Sequence, residues 1–430
     1  MQQQKVSDKI LFQNATIVDP HQGKSYTADI LIDDGKIRKV QKEIPKSGIK
    51  RVVDLKGKSV APGFIDLHVH FREPGFEDEE TIATGARAAL AGGFTQVCCM
   101  PNTVPPIATQ DSVRLIYKKA EDLLVRVYPI AAITKGREGK ELTEMGELAE
   151  AGAVAFSDDG TPLQNALLMR YALEYSRVTG KPVINHAEDI DLRADGLMNE
   201  GIVSTQLGLT ANPAAAEQLM VYRDVMLAKL TGARIHIPHV STAAAVAIIR
   251  QAKADGVRVT AEATPHHFTL TDEYMRSFSA QGKVAPPLRT EEDRQAIIAG
   301  LKDGTIDAIA TDHAPHTYET KETSLDLASS GLIGLESAFG LAMTQLVKAG
   351  HLSLLDLVTK LTTRPAAVLD LPLPPIKAGE AANLTIFDPE EWWVFSRKDI
   401  YSKSHNTPFL GAEFTGRIKS VFTQSTYIEI

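Results

Sequence analysis

The residues best suited to chemistry lie in the segment 61–72, which reads Ala-Pro-Gly-Phe-Ile-Asp-Leu-His-Val-His-Phe-Arg. In an extended strand, successive side chains point to opposite faces, so His68, His70 and Arg72 share one face. Imidazole is a preferred ligand of zinc and related divalent ions, and a strand holds its ligands rigidly. The two histidines therefore predict half of a metal site, with hydrogen-bonded strand histidines as the alternative.

Further polar residues directly follow other predicted strands. They are Asn102, Asp158, Asp159, His186, His239, Asp312, His313 and His316. Four histidines and two aspartates can hold two divalent ions that share a bridging carboxylate, with positions left open for water or substrate. Such an ion lowers the pKa of its water from about 15.7 to about 7. The sequence contains no Gly-x-Ser-x-Gly motif that would offer a serine nucleophile instead.

The elements that position these residues alternate between short apolar runs and amphipathic stretches from Phe64 onward. This alternation is typical of βα units with parallel strands. The eight strand candidates are 64–70, 95–100, 125–131, 153–157, 182–186, 234–239, 257–261 and 306–311. Eight units predict a (β/α)8 TIM barrel, whose active site lies at the C-terminal ends of the strands.

Strand-like segments at both chain ends predict a smaller β domain beside the barrel. Short strands precede residue 60, where Asp34-Gly35 is a strong hairpin-turn signal, and further strands are predicted at 383–387 and 420–430. We expect these strands to form one composite β domain. The predicted division assigns 1–60 and 371–430 to the β domain and 61–370 to the barrel.

Composition limits the classes of function. The 430 residues are 43% hydrophobic and carry a net charge of -8, which argues against a general nucleic-acid binder and favours a soluble protein acting on small molecules. Cys98 and Cys99 are adjacent and poorly placed to bridge each other, so a reduced, cytoplasmic protein is expected. No apolar run is long enough to suggest a membrane span, and the N-terminus has no apolar signal region.

A set of motifs in fixed order resembles the amidohydrolase superfamily, and specifically the class I bacterial dihydroorotases. The motifs are His-Val-His-Phe-Arg-Glu-Pro-Gly, Met-Pro-Asn-Thr, Phe-Ser-Asp-Asp-Gly, Asn-His-Ala-Glu-Asp, His-Val-Ser-Thr, Ala-Thr-Asp-His-Ala-Pro-His and the tail motif Asn-Thr-Pro-Phe at 406–409. The resemblance implies a distorted barrel with a flanking composite β domain. It also implies reversible cyclisation of N-carbamoyl-L-aspartate to L-dihydroorotate in pyrimidine synthesis.

The resemblance further implies a ligand set. His68 and His70 would hold one zinc ion with Asp312, His186 and His239 would hold a second, and Asp159 would bridge them. Many relatives use a carboxylated lysine as the bridge, but residues 141–180 contain no lysine. The residues alone do not decide between Asp158 and Asp159; the family pattern favours Asp159. One or two zinc ions per subunit are expected, although cobalt or manganese could occupy the same groups.

The same resemblance suggests roles at the substrate. Asp312 would carry the proton between the attacking water and the departing amide nitrogen. Arg72 would grip the substrate carboxylate with charge-assisted hydrogen bonds, assisted by Asn102. His316 and the backbone of Gly331 are the remaining expected substrate contacts.

Two positions depart from the family pattern and leave alternatives open. Ala285 stands where an asparagine is usual, and Ser330 stands where an aromatic residue is usual. The rival interpretations are another cyclic amidohydrolase, namely a hydantoinase, dihydropyrimidinase or allantoinase, and a silent homologue that serves as a structural partner of aspartate transcarbamoylase. We expect a homo-oligomer, and we also consider association of an active enzyme with aspartate transcarbamoylase.

Overall fold

The computed structural model describes residues 1–6 and 9–430. Its strands, in chain order, are β1 Gln2–Lys5, β2 Ile10–Asp19, β3 Lys24–Asp33, β4 Lys36–Gln41, β5 Arg51–Asp54, β6 Ser59–Pro62, β7 Phe64–Val69, β8 Phe94–Cys99, β9 Arg126–Pro129, β10 Phe156–Ser157, β11 Val183–Ile184, β12 Met198–Asn199, β13 Ala211–Asn212, β14 Ile235–Ile237, β15 Val259–Ala263, β16 Ala308–Ile309, β17 Leu384–Val394, β18 Glu413–Thr423 and β19 Thr426–Glu429. The α-helices are α1 Ile82–Ala91, α2 Gln110–Ala120, α3 Met145–Glu150, α4 Ala166–Thr179, α5 Ile190–Arg193, α6 Ile202–Leu207, α7 Ala214–Thr231, α8 Ala243–Ala254, α9 Glu291–Asp303, α10 Tyr318–Lys321, α11 Ala338–Ala342, α12 Leu354–Leu361 and α13 Thr363–Leu369.

Parallel strands close into a barrel. One sheet joins β7, β8 and β9, and a second runs in the order β10, β11, β14, β15, β16. Single parallel bridges from Ala131 to Phe156 and from Val69 to His313 connect the two sheets and complete the ring. The predicted (β/α)8 barrel is therefore confirmed. Its distortion is visible in these two seams, where one bridge replaces a continuous ladder.

Helix boundaries follow from local capping chemistry. Thr242 begins α8 by accepting a hydrogen bond from the backbone N–H of Ala245, and Thr290 forms a capping box with Asp293 at the start of α9. Gly232 ends α7 with a left-handed conformation, φ 68°, which glycine adopts without a Cβ penalty. These caps fix where each strand-to-helix turn lies, and the turns carry the site residues.

The strands of both chain ends form one sheet, as predicted. The order is β1, β19, β18, β17, β6, β2, β3, β4, with β5 paired to β2. Leu384 in the tail pairs with Pro62, and Gln2 pairs with Glu429. The β3–β4 hairpin turns at Asp34 and Gly35, both at positive φ. The predicted domain limits at residues 60 and 370 stay a prediction.

An aromatic cluster joins this sheet to the barrel. Phe64 begins β7, and its ring centroid lies 6.0 Å from that of Phe94, 5.6 Å from that of Phe339 and 6.2 Å from that of Phe387 in β17. All four side chains are buried. The contact lies beside the N-terminal ends of β7 and β8, so it leaves the opposite, C-terminal ends of the strands free for the site.

Cys98 and Cys99 are both buried and free. Within residues 1–6 and 9–430, no helix has the length and apolar character needed to cross a membrane.

We predict that Phe64→Ala lowers the free energy of unfolding by about 3–5 kcal/mol, because it removes a ring from a close-packed contact between barrel and sheet. The matched control is Phe278→Ala, since Phe278 is 54% exposed; its effect should stay within about 0.5 kcal/mol. Chemical denaturation of the three proteins measures both changes. Equal effects of the two substitutions would contradict the assigned role of the cluster.

Candidate metal centre and active site

The predicted metal ligands come together at the C-terminal ends of the barrel strands. His68 lies on β7 and His70 directly follows it, whereas the other members lie in the turns after β10, β11, β14 and β16. Two groups of ligand atoms lie within 4.8 Å of one another: His68, His70 and Asp159, and Asp159, His186 and His239. Asp159 belongs to both groups. The family resemblance implies a position between two ions for this residue.

The Asp159 carboxylate lies at the centre of the cluster. Its Oδ1 is 3.6 Å from His68 Nε2, 3.7 Å from His186 Nδ1 and 3.7 Å from His239 Nε2, and its Oδ2 is 3.5 Å from His70 Nε2. Four-coordinate zinc with ligand bonds of about 2.0–2.2 Å separates its ligands by about 3.4 Å. The observed separations are longer than ordinary hydrogen bonds and close to this ligand spacing. They therefore fit ligand atoms that face a shared ion.

Unpartnered polar atoms support the same fit. His68 Nε2 and Asp159 Oδ1 are buried and have no hydrogen-bond partner among the described residues. Buried polar atoms without a partner cost free energy, and an ion between them would satisfy both. The donor set of imidazole and carboxylate is the one expected for zinc and related divalent metals.

The side chains of the adjacent Asp158 and Asp159 point in different directions. The backbone N–H groups of Ile133 and Thr134 donate to Asp158 Oδ1 at 2.8 and 3.1 Å, and the Thr134 hydroxyl donates to Asp158 Oδ2. These bonds hold Asp158 against the turn that follows β9, away from the histidines. Only Asp159 of the pair belongs to the ligand groups.

Asp312 lies beside the first two histidines. Its Oδ1 is 3.0 Å from His70 Nε2 and 3.4 Å from His68 Nε2. Burial alone would raise the pKa of Asp312, but the electrostatic effect of His68 and the hydrogen bond from His70 outweigh it and lower the pKa. The carboxylate is therefore ionised, which is the form that can bind a cation or accept a proton.

Sequence reasoning missed Glu262, which lies behind the cluster. Its Oε1 accepts from His68 Nδ1 at 2.9 Å and its Oε2 from His236 Nε2 at 3.0 Å. Burial would raise the pKa of Glu262, but the hydrogen bonds from His236 and His68 hold it at about 2. Because the Nδ1–H of His68 donates a hydrogen bond to this carboxylate, the lone pair of His68 Nε2 is left free on the side of Asp159, where it can bind a metal.

Two further residues orient ligands. Asn102 Oδ1 lies 2.9 Å from His70 Nδ1, which leaves His70 Nε2 directed at the cluster. Glu188 Oε2 lies 3.4 Å from His186 Nε2, and Asn212 donates to the other Glu188 oxygen at 2.7 Å. Asn102 was predicted only as a substrate contact, so its bond to His70 adds a role. Glu188 belongs to the Asn-His-Ala-Glu-Asp motif, but the family resemblance implies no role for it.

A cleft of about 230 Å³ opens above the cluster and contains the predicted substrate residues. Arg72 Nε is 3.0 Å from Glu79 Oε2 and donates to the carbonyl of Pro315 at 3.1 Å. His316 lies between Glu79, at 3.0 Å, and the carbonyl of Ser330, at 2.9 Å. A second arginine that the sequence analysis did not single out, Arg193, also lines the cleft.

One wall of the cleft contains the two departures from the family pattern, Ala285 and Ser330, together with Gly331. The N–H of Gly331 donates to the carbonyl of Lys283 at 2.9 Å, and its carbonyl accepts from Lys321 Nζ at 2.6 Å. Both backbone polar groups of Gly331 thus have protein partners. What this glycine offers the cleft is its missing side chain, because a Cβ would lie 2.6 Å from that of Ala314.

Backbone strain is concentrated at the site. Arg72, His239 and Asp312 adopt φ values of 63°, 33° and 50°, in the left-handed region that non-glycine residues rarely occupy. Each such residue costs on the order of 1–3 kcal/mol and persists only where its surroundings fix it. The left-handed backbone conformation directs these three side chains from the strand ends toward the cleft.

Comparison with known proteins agrees with this architecture. A family model described as dihydro-orotase-like matches residues 57–245. A dihydroorotase of Pelotomaculum thermopropionicum is 53% identical over 410 residues, covering 95% of each chain. A dihydroorotase of Syntrophus aciditrophicus is 46% identical over 424 residues, covering 98% of this chain and 99% of the relative.

Solved structures share the fold at lower identity. The L-hydantoinase (dihydropyrimidinase) from Arthrobacter aurescens superposes with a TM-score of 0.86 at 25% identity, covering 96% of this chain and 94% of that one. A D-hydantoinase (dihydropyrimidinase) from Thermus sp. gives a TM-score of 0.81 at 26% identity, covering 97% and 94%.

We predict that Glu262→Gln weakens metal affinity by about 10–100-fold, because the new amide N–H₂ would face a ring N–H of His68 or His236. Competition with a chelating dye for zinc measures the affinity. Glu174→Gln is the matched control, since Glu174 pairs with Arg170 on the surface of α4. Parent-like zinc affinity in Glu262→Gln would rule out the orienting role of this carboxylate.

Proposed function

The chain belongs to the dihydroorotase family, and from that premise we propose that its cleft interconverts N-carbamoyl-L-aspartate and L-dihydroorotate, a step of pyrimidine synthesis. The enzyme is a metal-dependent hydrolase of cyclic amides. One observation carries the proposal: the Asp159 carboxylate lies among His68, His70, His186 and His239 in a cleft that Arg72 also lines.

We assign zinc to the cluster, with one or two ions per subunit. His68, His70 and Asp312 would hold one ion, His186 and His239 the other, and Asp159 would contact both. Bound there, zinc supplies Lewis acidity toward the ring carbonyl and acidifies a water molecule. The unpartnered atoms His68 Nε2 and Asp159 Oδ1 support this assignment.

Cationic side chains account for recognition of the substrate carboxylate. The side chain of Arg72 is 10% exposed and is held by Glu79, so its guanidinium is fixed before substrate arrives. A guanidinium can bind a carboxylate through two parallel charge-assisted hydrogen bonds. The amide of Asn102 adds a neutral hydrogen bond, and His316, next to Arg72, completes this side of the cleft.

Asp312 is the proton carrier of the proposed mechanism. Its ionised carboxylate accepts a proton from the attacking water and delivers it to the ring nitrogen as the amide bond breaks. In the cyclising direction the same carboxylate takes the proton from the carbamoyl nitrogen. Held beside His68 and His70, it needs no large movement between these tasks.

The Ala285 and Ser330 positions bear on which ring is accepted. Loss of one side-chain hydrogen bond typically costs about 1 kcal/mol, a several-fold effect on binding. We therefore retain L-dihydroorotate as substrate. Hydantoin, dihydropyrimidine or allantoin hydrolysis is the alternative that the assay below separates.

We further propose a homo-oligomer. Large apolar side chains are exposed on the neighbouring helices α4 and α7, and exposed apolar faces of this kind mark protein contacts. They are Leu167, Tyr171, Val178, Leu219, Tyr222, Met226 and Leu230. Association with aspartate transcarbamoylase and a cytoplasmic location stay predictions.

The deciding experiment follows ring opening of L-dihydroorotate by the purified protein before chelation, after chelation and after zinc is restored. We expect turnover to disappear with the metal and to return with zinc, because the histidine cluster binds the ion on which the reaction depends. Hydantoin, dihydrouracil and allantoin are assayed alongside. Turnover of one of these rings alone would replace dihydroorotate as substrate, and inactivity of the zinc-loaded protein would favour the silent homologue.

Removal of the proton carrier gives a second test. Asp312→Ala should lower kcat by about 10³-fold or more while the circular dichroism spectrum stays that of the parent. Asp255→Ala, which alters a surface aspartate paired with Lys229, should retain parent activity. A normal rate in Asp312→Ala would refute the role of this carboxylate.

A further inference from the structure

Lys321, the last residue of α10, is an unusual buried cation. Its side chain is 1% exposed. Its Nζ donates to three backbone carbonyls: Lys283 at 3.0 Å, Ser329 at 2.9 Å and Gly331 at 2.6 Å. An ammonium group has three donors, so this arrangement uses all of them.

The three carbonyls belong to the two segments that form one wall of the cleft. Ser329 and Gly331 flank Ser330, and Lys283 precedes Ala285 by two residues; Ala285, Ser330 and Gly331 line the cleft. A hydrogen bond from the Gly331 N–H to the Lys283 carbonyl joins the two segments directly. The Lys321 ammonium therefore links both segments from behind the wall.

Burial makes this arrangement costly. It lowers the pKa of Lys321 to about 7, assisted by the nearby charge of Lys283. Within the described chain, no carboxylate forms an ion pair with Lys321; its bonds are to neutral carbonyls. Buried charges generally require compensation. Here three backbone carbonyls of the cleft wall accept hydrogen bonds from the ammonium, and the nearby negative charge of Glu322 also stabilises it.

We propose that Lys321 is a positioning residue for the substrate ring: its ammonium fixes the spacing between the 283–285 segment and the 329–331 segment. The inference rests on the proposed dihydroorotase activity. The wall it holds presents Ala285 and Ser330, where side chains that would reach the ring are short. The fit of the wall to the ring then depends on the position of its backbone. The hydrogen bonds from Lys321 to that backbone are therefore important for substrate binding.

Loss of the ammonium should act on binding more than on chemistry. The 329–331 segment would keep the bond from Gly331 to Lys283, the contact of Asn406 Nδ2 with the Gly331 carbonyl at 3.2 Å, and that of His316 with the Ser330 carbonyl. The bond from Gly331 to Lys283 still joins the two segments at one point, but the Lys283 and Ser329 carbonyls lose the donor that they share, so the segments can shift relative to each other. The histidine cluster lies on other strands and keeps its geometry.

The test compares KM and kcat for L-dihydroorotate in the zinc-loaded parent and in Lys321→Met, which keeps side-chain length and removes the ammonium. We expect KM to rise about tenfold and kcat to change less than about threefold, with zinc content unchanged. Lys321→Gln, which keeps a neutral donor, should give an intermediate KM. If Lys321→Met does not fold, the rise in KM of Lys321→Gln decides the question.

Lys360→Met is the matched control. Lys360 is also buried, and its Nζ donates to the carbonyl of Ile306 at 2.8 Å, just before β16 at the opposite end of the barrel. This variant should lose stability but keep the parent KM. A parent-like KM in the Lys321 variants, or an equal rise in Lys360→Met, would overturn the inference. Inactivity of the parent enzyme would instead reject the proposed function on which it rests.

Discussion

The buried carboxylate of Asp159 is the group on which the rest of the site depends. A negative charge removed from water must be compensated by nearby donors or cations. Here four imidazoles surround it at separations that suit shared metal ligation, not direct hydrogen bonding. Glu262 and Glu188, placed behind the histidines, fix which ring nitrogens face inward. Charge compensation thus extends outward in alternating layers of carboxylate and imidazole.

The barrel makes this arrangement accessible. The parallel strands of the barrel all have their C-terminal ends on one side. The composite sheet packs against the opposite, N-terminal side through Phe64 and Phe387. The residues at the active end adopt strained backbone, as Arg72, His239 and Asp312 show. A rigid ring of strands can support such strain because neighbouring residues are held by hydrogen bonds, such as that from the Val240 N–H to the Glu262 carbonyl. Stability is thus concentrated at one end of the barrel and chemistry at the other.

The proposed metal ligands and the proposed ring-binding wall lie on different elements of the fold. The histidine cluster depends on β7, β11, β14 and the turn after β10, whereas one wall of the cleft is built from the 283–285 and 329–331 segments. Shared fold with hydantoinases at 25–26% identity is consistent with this separation. A common barrel can hold the same chemistry while loops decide which cyclic amide fits.

The sequence by itself determined the barrel, the composite sheet and the ligand candidates, because strand periodicity and the order of strand-end motifs are local properties. It could not find Glu262, Arg193 or Lys321. Glu262 is separated from His68 by 194 residues, and its position within an apolar strand carries no local signal of that contact. Likewise, Asp158 and Asp159 are adjacent and chemically identical. The backbone N–H groups in the turn after β9 bind the Asp158 carboxylate, which leaves that of Asp159 to face the histidines. Only the tertiary structure shows where these buried charged side chains lie, because folding brings their hydrogen-bond partners from distant positions in the sequence.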